Sequence, residues 1–137
     1  MVLSPDILAE INQVRSDRLH GAREVTAMAL RGLRRCIERS QTHGTDKVTD
    51  LLLTAARAFA QSRPSMISIT NSMSTVVYNV LRFDGPKSEM RRFILSAIDE
   101  QLMRLDNAFR SVVSNASTLV KKGDTVVTCT YSSTVLE

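Results

Sequence analysis

From Met90 to Val120 an apolar residue returns every three or four positions: Met90, Phe93, Ile94, Ala97, Ile98, Leu102, Leu105, Phe109, Val112, Val113, Ala116, Leu119 and Val120. A strand would alternate at every second residue, so a stripe of this period and length specifies an α-helix. The spacing predicts a helix from about Ser88 to Lys122. Lys121 and Lys122 suit the negative end of its dipole, and Gly123 is the expected C-terminal stop. Such a helix is apolar along one side only and folds against other helices that cover that side.

The residues before it supply those helices. Ser4 and Pro5 suit a helix start, and Ile7, Leu8, Ile11 and Val14 follow at helical steps until His20-Gly21 interrupts them. A second helix begins near Ala22, with Val25, Met28, Ala29, Leu33, Cys36 and Ile37 on one side. Arg31, Arg34, Arg35 and Arg39 lie on the other. After a turn at residues 41–44, VTDLLLTAARAFAQS forms a third helix with Val48, Leu51, Leu52, Ala55, Ala58 and Phe59 inward. It stops at Arg63-Pro64, because a residue before proline is pushed out of helical geometry. A fourth helix is expected from about Ser65 to Arg82, lined by Met66, Ile69, Met73, Val76, Val77 and Val80. Its Ser, Thr and Asn content does not favour helix, so the apolar period decides. Residues 83–86 break the chain again.

Past Gly123 the period changes. Residues 124–130 are short and β-branched, the composition of a strand, followed by a polar turn and by Thr134 and Glu137 at capping-box spacing. A lone strand needs a ladder partner. Either it pairs with another copy in a homodimer, or it opens an α/β unit of a longer protein. The expectation is an all-α five-helix bundle over residues 1–122. Residues 123–137 would then be the first strand and helix start of a truncated α/β domain.

Composition narrows the function. Hydrophobic residues make up 43% and charged residues 23%, as in a folded domain rather than a disordered segment. Aromatics are 4% with no Trp, which disfavours base stacking as the means of binding nucleic acid. The net charge of +4 permits an acidic or phosphate-bearing partner without demanding one. No apolar run reaches the length of a membrane span, and the N-terminus has no basic-then-apolar leader pattern. Two Cys with no CxxC pair read as reduced thiols in a cytoplasmic protein, and with two His they match no metal-ligand spacing.

No GxGxxG, Walker, HExxH or GxSxG pattern is present, so no cofactor is expected. Asp99 and Glu100 are adjacent on a helix and read as a solvated face rather than an acid/base pair. The four arginines of helix two could track phosphates, but Glu24 and Glu38 interrupt them and no nucleic-acid-binding signature accompanies them. Arg63, with Ser65 able to cap the next helix, could hold an anion; the plainer reading is a helix C-terminal cation. Cys129, at a strand end beside a helix start, is either an activated thiol or a small buried hydrophobe.

Three stretches in order, HGAREVTAMALRGLRR, SRPSMISITNSM and LVKKGDTVVTCTYSSTVLE, resemble the initiation factor 2B superfamily. The last stretch is the most specific, being similar to that family's junction of long helix, Gly-Asp and apolar strand. The superfamily joins the regulatory subunits of an exchange factor to ribose-1,5-bisphosphate and methylthioribose-1-phosphate isomerases. The resemblance implies a helical N-terminal domain followed by a Rossmann-like α/β domain, of which the orphan strand would be the first strand. It also implies an archaeal or bacterial source.

Carried over by position, the resemblance favours the regulatory side. The isomerases' strand ends Thr-His-Cys with a catalytic Cys, whereas here Thr128, Cys129 and Thr130 take those places. A threonine hydroxyl is a far poorer nucleophile than a thiol. The isomerases' phosphate-approaching Arg-Gly-Ala corresponds to His20-Gly21-Ala22, and their Arg-Pro-Thr/Ser is kept as Arg63-Pro64-Ser65. The expected function is therefore non-catalytic protein interaction with the initiation factor 2 alpha subunit or with paralogous subunits. Arg31, Arg34, Arg35 and Arg39 are the candidate partner face. The alternative is one domain of a sugar-phosphate isomerase. In that case His20, Gly21, Arg63, Ser65, Thr130 and Ser132 would lie toward a sugar phosphate or nucleotide held by the complete protein.

Overall fold

The computed structural model describes residues 3–41 and 44–127. It is built from five helices: α1 (Pro5–Ser16), α2 (Ala22–Arg39), α3 (Thr45–Ser62), α4 (Ile67–Leu81) and α5 (Met90–Ser117). A 3-10 turn, Lys87–Glu89, leads into α5. The described residues contain no strand, and the fold is an all-α bundle.

The apolar stripes meet in one core, and α2 sits at its centre, packed against each of the other four helices. Val25, Ala29, Leu30, Leu33 and Ile37 of α2 are fully buried, together with Leu52 and Phe59 of α3, Ile69 and Val76 of α4, and Ile94 and Ile98 of α5. Loss of the Phe59 side chain alone would cost about 3–5 kcal/mol. Gly32 explains how α3 comes so close. A Cβ on Gly32 would stand 2.7 Å from Cζ of Phe59, so only a residue without a side chain leaves the ring its place.

α5 runs antiparallel to α2. Arg91 of α5 donates to the carbonyl of Ile37 near the end of α2, Asp99 meets Arg34 at its middle, and Phe109 lies under Arg23 at its start. Beyond Phe109 the helix continues past the bundle, and from Arg110 to Ser117 only Val113 is partly buried.

Several boundaries differ from expectation. α5 ends at Ser117, five residues before Lys122. Near that end the hydroxyls of Ser117 and Thr118 donate to the carbonyls of Ser114 and Asn115, at 2.8 and 2.7 Å. Side-chain bonds of this kind compete with the helix ladder, and among the described residues no buried neighbour opposes them there. Leu119 and Val120 are exposed. α4 starts at Ile67 with Met66 at the N-cap, so Ser65 does not cap it. Ser4 occupies the N-cap of α1 without a side-chain bond, and Leu8 is 48% exposed rather than inward. Residues 124–127 of the expected strand have no regular structure, and residues 128–137 lie outside the described residues.

Candidate functional site

The loop between α1 and α2 meets the junction of α3 and α4 at one end of the bundle. Asp17 organises it. Its Oδ1 accepts the backbone N–H of His20 at 3.0 Å, and its Oδ2 lies 2.8 Å from Nδ1 of the same histidine. These bonds hold the Asp17 carboxyl below its ordinary range, the ring contact being the larger cause. Arg63, at the C-cap of α3, donates Nη1 to the Asp17 carbonyl at 3.0 Å. Arg63 is thus tied, through the Asp17 carbonyl, to the loop that carries His20 and Gly21, although it is far from them in the chain. Ser65 lies two residues beyond Arg63 and is exposed. Thr130 and Ser132 fall outside the described residues, as does Cys129.

Gly21 is the N-cap of α2 and its carbonyl accepts from Val25 N at 3.1 Å. The first-turn N–H groups of α2 therefore open toward this corner, where an anion is favoured. Glu24, itself in that first turn, already places a carboxylate there. Arg23 donates to Glu24 Oε1 at 2.7 Å, and its guanidinium lies 3.7 Å from the centre of the Phe109 ring. Beneath these, buried Thr26 donates to or accepts from Ser68 Oγ at 2.8 Å and lies 2.7 Å from the Ala22 carbonyl, locking α2 to α4. Neither Arg23 on Phe109 nor Thr26 with Ser68 was legible as a contact, because each joins helices whose pairing the sequence does not state.

The arginine face of α2 divides in two. Arg34 grips Asp99 of α5, with Nε to Oδ1 at 2.7 Å and Nη2 to Oδ2 at 3.3 Å, and it also donates to Glu38. Arg35 donates Nε to Oε1 of Glu10 at 2.6 Å, a bond that holds the Glu10 carboxyl below its ordinary value. These two residues tie α2 to α5 and to α1. Arg31 and Arg39 are exposed, and neither forms an ion pair among the described residues. Cys36 lies in the core, and burial pushes its thiol up to about 12, which leaves it unreactive near neutral pH. The described residues hold no cluster of His, Cys, Asp and Glu able to bind a metal ion, and no helix long and apolar enough to cross a membrane.

Comparison with known proteins places this arrangement. Residues 18–137 match the initiation factor 2 subunit family. A translation initiation factor eIF-2B subunit 2-like protein of Pyrococcus abyssi is 29% identical over 134 residues, which is 97% of this chain and 44% of that protein. The protein of the same description in Pyrococcus horikoshii is 26% identical over 136 residues, 99% of this chain and 45% of its own length. The chain thus spans a little under half the length of these relatives. Because the family match covers residues 18–137, which include four of the five helices and His20, Gly21 and Arg63, the chain belongs to the initiation factor 2 subunit family.

Proposed function

We propose that this chain is a non-catalytic, partner-binding helical domain of an initiation factor 2B-like regulatory subunit, followed in the complete protein by an α/β domain that begins near residue 123. The observation that carries the reading is the division of the arginine face. Arg34 and Arg35 serve the bundle, while Arg31 and Arg39 stand eight positions apart on the exposed side of α2 and form no ion pair among the described residues. The spacing corresponds to about 12 Å along the helix, enough for two separate acidic groups on a partner. Both Pyrococcus relatives carry an eIF-2B subunit description, which agrees with this reading. The partner favoured is the initiation factor 2 alpha subunit or a paralogous subunit.

The test is binding of the full-length protein to that alpha subunit by calorimetric titration. Arg31→Glu with Arg39→Glu should weaken the complex by about tenfold or more, with a loss that shrinks at high salt. Unchanged affinity would remove the proposal. A second reading, a domain of a sugar-phosphate isomerase, is favoured by the junction of Arg63 with the His20-Gly21 loop. Under it, the full-length protein should gain thermal stability with ribose-1,5-bisphosphate and isomerise it, and Arg63→Ala should abolish the gain.

A further inference from the structure

The outer side of α3 and α4 carries a shallow groove of ≈ 860 Å³, away from the His20 corner and the arginine face. Ala60 and Val77 line it, and three large side chains on it stand well out of the core: Leu53 is 37% exposed, Tyr78 59% and Leu81 62%. Exposed apolar groups gathered in one groove mark a surface that another molecule covers. Two charges flank them on α3, Asp50 and Arg57, and neither forms an ion pair or side-chain hydrogen bond among the described residues. Among the other carboxylates of the described residues, those of Glu10, Glu38, Asp99, Glu100 and Asp106 are engaged with arginines, while Asp6, Asp46 and Asp84 form no ion pair and lie outside the groove.

The placement of the two charges identifies the occupant. Asp50 and Arg57 are seven positions apart, two helical turns, and so lie on the same face about 10.5 Å from each other along the axis. The midpoint between them falls at Leu53-Thr54. When two copies of α3 lie antiparallel across a two-fold axis through that midpoint, residue 50 of each faces residue 57 of the other. Both unmatched charges are then satisfied twice, by one symmetric operation. The same operation sets each copy's Leu53 beside its partner's Thr54 and carries Tyr78 and Leu81 toward the partner's groove. An unrelated partner would need its own acid and base at the mirrored spacing, whereas a second copy already has them. We propose that the α3/α4 face is a two-fold interface between two copies of this chain, held by reciprocal pairing of Asp50 with Arg57 around an apolar centre at Leu53, Tyr78 and Leu81.

Sedimentation equilibrium of the 137-residue chain tests this. The expected result is a reversible shift from 15.2 kDa to twice that mass within concentrations up to about 200 μM, the weak range suited to a small interface. Asp50→Arg alone, and Arg57→Asp alone, each set like charges opposite one another twice and should raise the dissociation constant about tenfold or more. Asp50→Arg combined with Arg57→Asp restores both pairs with the signs exchanged, and its dissociation constant should return to within about threefold of the parent. Both positions are on the surface, so circular dichroism should show the helices intact in every variant. A chain that stays monomeric up to that concentration overturns the proposal. So does a dimer indifferent to the single changes, which would use another surface, and so does a double variant no better than the singles.

Discussion

Gly32 stands in the middle of α2, where glycine is a poor helix former and alanine would improve an isolated helix by about 1 kcal/mol. The packing predicts the opposite sign for Gly32→Ala. The added methyl would lie 2.7 Å from Cζ and 3.0 Å from Cε1 of Phe59, and Phe59 is fully buried, so its ring has no free space to turn into. Overpacking of this kind costs about 1–3 kcal/mol. The propensity gain offsets part of it, and the expected net loss is about 1 kcal/mol, or a Tm lower by about 3 °C for a domain of this size. Phe59→Leu removes the atoms that clash. In that background Gly32→Ala should stabilise, with the propensity term alone remaining. The measurement is urea unfolding followed by circular dichroism on all four proteins, which gives a coupling of about 2 kcal/mol if the reasoning holds. A Gly32→Ala protein more stable than the parent would refute it, and so would equal effects in both backgrounds.

Thr26→Val keeps the shape of the side chain and deletes the hydroxyl between Ala22 and Ser68, so it should cost about 1–2 kcal/mol in urea unfolding, while Ser68→Ala in the same protein adds little more. Acid should destabilise the bundle in part through Glu10. Its carboxyl is held below the ordinary value in the folded state, so the stability it lends is fully present above about 4.3, the unfolded value, and is lost as pH falls through the folded one. Glu10→Gln should therefore flatten the Tm against pH below that point, and an unchanged slope would exclude the pair as a source. The Cys36 thiol should resist iodoacetamide near neutral pH until the chain is unfolded, as read by peptide mass mapping, and rapid labelling of the native protein would contradict its burial.

The helices were legible because their stripes are strong. Val25, Ile37, Leu52, Phe59, Ile94 and Ile98 all lie where the three- and four-residue spacing puts them. Ends were less legible, since Thr118 and Ser117 turn their hydroxyls onto the last turn of α5 and the apolar period runs on regardless. Of the candidate site, His20 with Gly21 and Arg63 were found singly, but their meeting was not predictable: it depends on Asp17, whose side chain holds His20 and whose carbonyl takes Arg63. Arg34 and Arg35 read as surface charge because their acids, Asp99 and Glu10, sit on other helices. Charge pattern within one helix shows only partners four positions away, such as Glu38.

The overhang of α5 divides one continuous helix into two thermal regimes. Around Ile94 and Ile98 an amide can exchange with solvent only when the bundle opens, whereas from Arg110 onward, among the described residues, the backbone hydrogen bonds have little but their own helix to protect them. The helix should therefore unwind from its C-terminal end in steps, at temperatures where its seated half is still rigid. Whatever load reaches residue 117 would shift the length of the surviving rod long before it disturbed the core.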